Sequence, residues 1–191
     1  EYEKYFQPDT PIKIPARNLM FNGNTSNTIA VFHQTDSSCL RMLDSAYLYD
    51  PLLDEGSQRL IPMSDVSRII PDPEPASPDT DIFGPEPAHT WCYFFQKADL
   101  ARQMKDWNKV IDLYRQAEQL GFTPKYGAEY IPFIEAFAQT GDWQSAYDLT
   151  ITAKELSQQQ KRMLCANWYR FAELPSADPR MIDRVVQDLP C

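Results

Sequence analysis

Histidine, glycine and basic charge are all scarce in this chain of 191 residues. There are two His, six Gly, and 18 Lys and Arg against 27 Asp and Glu, for a formal net charge of −9. Each shortage excludes something. A duplex-binding surface needs clustered cations to displace counterions, and no such cluster occurs, so nucleic acid is not an expected partner. So few glycines leave no phosphate-cradling loop and no nucleophile elbow around a serine. His33 and His89 stand at no ligand spacing from Cys39, Cys92, Cys165 or Cys191, and no C-x-x-C pair occurs. Neither a metal nor any other cofactor is therefore expected. No apolar run approaches the roughly 18 residues that cross a bilayer, and no secretory signal opens the chain. A chain beginning at Glu1 rather than Met reads as a piece of a longer protein or a mature product.

What is present is a core. Hydrophobic residues make up 43% and aromatics 13%, ample for a folded domain rather than a disordered one. Free buried thiols are the plain reading of four scattered cysteines. A single disulfide between Cys39 and Cys92 is the sharper reading, and it implies an oxidising compartment.

The chain divides into three parts. Residues 1–70 read as a small mixed module. "NTIAVFHQ" (27–34) and "SCLRMLD" (38–44) are short apolar runs around Thr35-Asp36-Ser37, which predicts a β-hairpin, with "NLMF" (18–21) as a third strand. "SDVSRII" (64–70) predicts one or two helical turns capped by Ser64 and stopped by Pro71. Residues 71–88 hold six prolines among acidic residues, which predicts an extended linker; the acids lack the Gly and the alternation of a calcium loop.

From residue 89 to 191 the period becomes helical. Phe94, Phe95, Ala98, Ala101 and Met104 form one face, and Trp107, Val110, Ile111, Tyr114 and Ala117 the next, ended by Gly121 and Pro124. The pattern returns in Tyr130, Ile131, Ile134, Phe137 and Ala138, then in Trp143, Ala146, Tyr147, Thr150 and Ala153. A fainter third pair runs through Met163, Leu164, Trp168 and Phe171, then Met181, Ile182, Val185 and Val186, opening at Asp178-Pro179. The expected fold class is α+β, mainly α: three helical hairpins with a small N-terminal antiparallel β module packed on them.

"KDWNKVIDLYRQA" (105–117) and "GDWQSAYDLTITA" (141–153) echo each other 36 residues apart. A helical hairpin recurring at about 34 residues resembles the tetratricopeptide repeat, with small Ala98, Ala117, Ala146 and Ala153 where helices approach and Trp107 and Trp143 opening the second helix. Gly141-Asp142 supplies the turn, and Lys105 replaces that glycine in the first repeat. The likeness covers about residues 90–156. The longer period, with extra residues in 121–129, departs from a regular superhelix. "CLRMLD", "LIPMSDVSRIIPDP", "FGPEPAHTWCYFFQKADLARQMKDW" and "EYIPFIEAFAQTGDW" together resemble the C-terminal soluble region of large bacterial polytopic membrane proteins, themselves similar to dolichyl-phosphate-mannose-type glycosyltransferases. That second resemblance implies an extracytoplasmic, periplasmic tail joined to the membrane only through a preceding portion; a cytoplasmic location is the alternative.

Catalytic readings are weak. His89 and Cys92 lie close in "HTWC", but a nucleophile pair needs a third orienting group. Glu135 and Asp142 could meet across a turn, though acid–base work needs a pocket that shifts one of them. The better lead is aromatic: Tyr93, Tyr114, Tyr126, Tyr130, Tyr147, Trp168 and Tyr169 exceed what small repeat cores need. A ligand groove is therefore expected along Tyr93, Lys97, Arg102, Tyr130 and Asn167, holding a peptide or another subunit. The alternative is an accessory domain of a membrane glycosyltransferase contacting glycan or lipid-linked sugar.

Overall fold

The computed structural model describes residues 2–34, 38–71 and 79–191. The turn at 35–37 and most of the linker, 72–78, lie outside the described residues. β1 (Pro11–Ala16) and β2 (Leu19–Asn24) form one antiparallel hairpin, and β3 (Val31–Gln34) and β4 (Ser38–Met42) form another. Two short helices follow, α1 (Glu55–Leu60) and α2 (Thr80–Phe83). Six longer helices then pack as consecutive pairs: α3 (Trp91–Gln103) with α4 (Trp107–Gln119), α5 (Ile131–Gln139) with α6 (Trp143–Leu156), and α7 (Lys161–Phe171) with α8 (Pro179–Asp188). The chain is α+β and mainly α.

The helix ends follow from local chemistry. Asp106, Asp142 and Asp178 each accept a backbone N–H of the first turn of α4, α6 and α8, and Pro179 fills the position where no N–H is needed. α3, α4 and α5 close alike. Lys105, Gly121 and Gly141 take positive φ, and the next residue's N–H bonds back to Ala101, Ala117 and Phe137 respectively.

α5 sits at the centre, touching α3, α4, α6 and α7, and Ile131 to Ala138 are all buried. A helix surrounded on every side has no solvent face to keep polar, which explains its near-continuous apolar sequence. Cys39, Leu43, Tyr47, Leu53 and Ile61 join the same core as the helices, so residues 1–70 contribute to the helical core rather than to a separate one.

Three local expectations need correction. "NLMF" does not extend the β3–β4 sheet; Leu19–Asn24 pairs with Pro11–Ala16 across a turn in which Arg17 has φ +53°. Pro11 and Pro15 mask β1 in the sequence, yet a strand paired on one side only tolerates them. The segment after Ser64 is a single 3-10 turn, Val66–Arg68, capped by Asp65, while Ser64 Oγ instead accepts the Ala30 N–H at 3.0 Å. Residues 79–88 are not wholly extended, because α2 forms one turn capped by Asp79.

Candidate functional site

A cleft of about 560 Å³ opens where the β3–β4 hairpin meets the helices. β3 and β4 supply His33, Ser38 and Cys39; the start of α3 supplies Thr90, Trp91 and Cys92. The connection after α4 supplies Phe122, Thr123 and Lys125, and Glu129 closes the floor from the turn before α5. Gly121 begins that connection with φ +75°, which lets the chain reverse sharply and present Phe122. A Cys39–Cys92 disulfide crosses the wall of the cleft and joins β4 to α3.

Glu129 organises this floor. Its Oε1 accepts the Cys39 N–H at 2.8 Å, and its Oε2 accepts the Trp91 indole N–H at 2.8 Å and the Lys125 N–H at 3.4 Å. Burial pushes its carboxyl above the ordinary range despite the three donors, which pull the other way. With three donors on its carboxylate, Glu129 holds three cleft-forming segments together. Trp91 packs on Phe133 with ring centroids 5.6 Å apart, and Phe94 on Phe122 at 5.9 Å, so the apolar wall is continuous with the core. The rim is polar: His33, Thr90, Thr123 and Lys125 all bring groups able to donate.

Among the described residues, the five expected to line a groove are not brought together in one. Tyr93 and Lys97 do lie together on α3, with the Lys97 ammonium donating to the Tyr93 hydroxyl at 2.6 Å and the His89 ring stacked 3.5 Å from the Tyr93 ring. Tyr130 is buried in the core. Arg102 is buried as well. Its guanidinium bonds Asp99 Oδ1 at 2.8 Å, Asp44 Oδ2 at 2.7 Å and Glu135 Oε2 at 3.3 Å, and Tyr47 donates to Asp99 at 2.8 Å. Burial opposes the Arg102 charge, but the three carboxylates outweigh it and hold the guanidinium protonated; burial likewise raises the Asp99 carboxyl and the Tyr47 hydroxyl. Asn167 donates to the carbonyls of Ala46 at 2.8 Å and Met163 at 2.9 Å. Arg102 and Asn167 thus fasten the N-terminal module to the helices, because a buried guanidinium or amide must spend its donors on acceptors nearby.

The aromatic lead shrinks for the same reason. Trp168 is 1% exposed, its indole N–H bonded to Thr150 Oγ1, and of the seven aromatics only Tyr169 is largely exposed. A second buried pair, Arg41 with Asp50 at 2.8 Å, lies among the rings of Phe32, Tyr47 and Tyr126. The weaker catalytic candidates are likewise occupied. Cys92 is in a disulfide and so offers no thiol to His89, which instead contacts Glu86 at 2.8 Å. Glu135 serves Arg102 and Arg170, and Asp142 caps α6.

The plain reading of free thiols is also corrected, since Cys165 pairs with Cys191 and no cysteine is left free. That second bridge ties α7 to the segment after α8; nothing in the spacing of the two cysteines singled it out. The cleft itself escaped the sequence because its residues come from three separate segments and share no periodicity. Comparison of the chain with protein-family models, with curated proteins and with solved structures finds no match.

Proposed function

We propose that the chain is a non-catalytic interaction module that docks a peptide or partner subunit in the Trp91–Phe122 cleft, as the extracytoplasmic tail of a bacterial membrane protein. The observation that carries this reading is the cleft itself: an apolar wall of Trp91, Phe122 and the Cys39–Cys92 bridge beneath a rim of donors that includes Lys125. Such a site takes an apolar side chain and fixes its flanking carbonyl or carboxylate by hydrogen bonds. The bridge and Glu129 hold the walls in place before binding, which cuts the ordering cost of association. Two disulfides support an oxidising, extracytoplasmic location.

A glycan-contacting domain would need exposed Trp or Tyr beside unengaged carboxylates. Trp91, Trp143 and Trp168 are buried, Trp107 is half-buried, and the exposed Tyr169 lies in a cleft with Lys161 and Arg162 and no Asp or Glu, which favours the peptide reading. The test is selection from a displayed random-peptide library on the immobilised chain. Selected peptides should lose roughly tenfold or more in affinity for Phe122→Ser and for Lys125→Glu. A library that yields no binder, or binders indifferent to both substitutions, sinks the reading.

A further inference from the structure

The β1–β2 hairpin projects from the body of the molecule. Among the described residues its strands make their substantial contacts with each other, and its base is closed by Thr25, whose Oγ1 donates to the Gln7 carbonyl at 2.6 Å and accepts the Thr10 N–H at 2.9 Å. The base is steadied in turn by Arg59 of α1, whose guanidinium pairs with Glu3 and lies 4.2 Å from the Phe6 ring centroid. An isolated two-stranded hairpin is marginal in water unless one face is covered.

This hairpin has such a face. The register sets Ile14 opposite Phe21, Ala16 opposite Leu19 and Ile12 opposite Gly23, so Ile12, Ile14, Ala16, Leu19 and Phe21 share one side. Most of that side is bare: Leu19 is 77% exposed, Phe21 56% and Ile14 51%. Gly23 gives the Phe21 ring room to lie along the face, since a Cβ there would come within 2.8 Å of it.

We propose that this face rests on a phospholipid surface bearing anionic headgroups. Charge selects that occupant. Residues 10–34 contain no Asp or Glu, in a chain whose net charge is −9, and carry Arg17 in the turn at the end of the face and Lys13, paired with Asn22, on the hairpin's other side. A basic apolar hairpin on an otherwise acidic protein matches a layer of phosphates over hydrocarbon, while a Debye length of about 8 Å screens the distant acids. Area excludes the main rival. Two strands of six residues give a face of roughly 20 by 10 Å, about 200 Å², against the ~800 Å² per partner of a stable protein interface. Strand addition to β1 is discouraged as well, since Pro11 and Pro15 lack the N–H groups that a further ladder uses.

This proposal stands on the hairpin and is independent of the cleft. It is tested by flotation of the 191-residue chain with phosphatidylcholine vesicles and with vesicles containing phosphatidylglycerol. The chain should float with the phosphatidylglycerol vesicles. Leu19→Ser with Phe21→Ser should cut partitioning roughly tenfold, and Lys13→Glu with Arg17→Glu should erase the preference for anionic lipid. Both pairs are exposed, so unchanged melting curves will show that the variants fold. Failure to float, flotation unaffected by the Leu19 and Phe21 changes, or a dimer that the Leu19 and Phe21 changes dissociate would each overturn the proposal.

Discussion

Lys105 and Gly141, 36 positions apart, occupy the same backbone state, with φ of +59° and +84°. Each follows the last turn of a first helix, and each is followed by an aspartate that caps the second helix, Asp106 and Asp142. The left-handed conformation costs a lysine about 1 kcal/mol that glycine avoids.

That relationship predicts a stabilising substitution. Lys105→Gly should raise unfolding stability by about 1 kcal/mol, and Gly141→Lys should lower it by a similar amount. Urea unfolding of the three proteins measures both, and a destabilised Lys105→Gly would contradict the strain at this turn.

The two disulfides close loops of different size, with separations of 53 for Cys39–Cys92 and 26 for Cys165–Cys191. Loop-closure entropy alone gives about 4 kcal/mol for the first and about 3.5 kcal/mol for the second. Cys39→Ser/Cys92→Ser should therefore lose the more stability, and it also frees the wall of the cleft. Denaturation of both double variants beside wild type gives the order; a larger loss at Cys165 and Cys191 would count against this account.

Removing Arg102 leaves Asp99, Asp44 and Glu135 facing one another with less opposing charge. Arg102→Ala should cost about 3 kcal/mol or more, and Arg102→Met combined with Asp99→Leu should recover part of it, because the most deeply buried charge goes too. A double variant no more stable than Arg102→Ala would show that Asp99 is not what the guanidinium compensates.

Glu129 gives a pH signature. Burial raises its carboxyl above the usual 4.5, so the fold binds that proton more tightly than the unfolded chain does. Its contribution is complete below about pH 4.5 and declines as pH rises from there through the raised folded value. Glu129→Gln removes the titration. The wild-type minus variant difference in urea midpoint should fall across that window, and a flat or rising difference would reject the raised carboxyl.

How much of this was readable beforehand depended on range. The faces of α3 to α6 follow from side chains spaced at the helical period, and Asp106, Asp142 and Asp178 cap helices from one turn away, so their chemistry is local. β1 was hidden by its own prolines, and α1, a single short segment after Asp54, carries little periodic signal. Arg102, Tyr130 and Asn167 looked like groove residues because a polar or amphipathic side chain on a helix is ordinarily solvated.

The sequence by itself determined the helical pairs, the Gly121 stop and the Asp178-Pro179 start, and the mixed, mainly helical class, since these depend on neighbours within a few residues. Only the tertiary structure decided that Arg102 meets Asp44 across 58 positions and Asn167 meets Ala46 across 121. It likewise decided that Cys165 bridges to Cys191, and that Trp91, Phe122 and Glu129 enclose one cleft. The reason is physical: whether a polar group is buried, and what it bonds, is a property of the surfaces brought against it, and those come from chain segments that no local pattern connects.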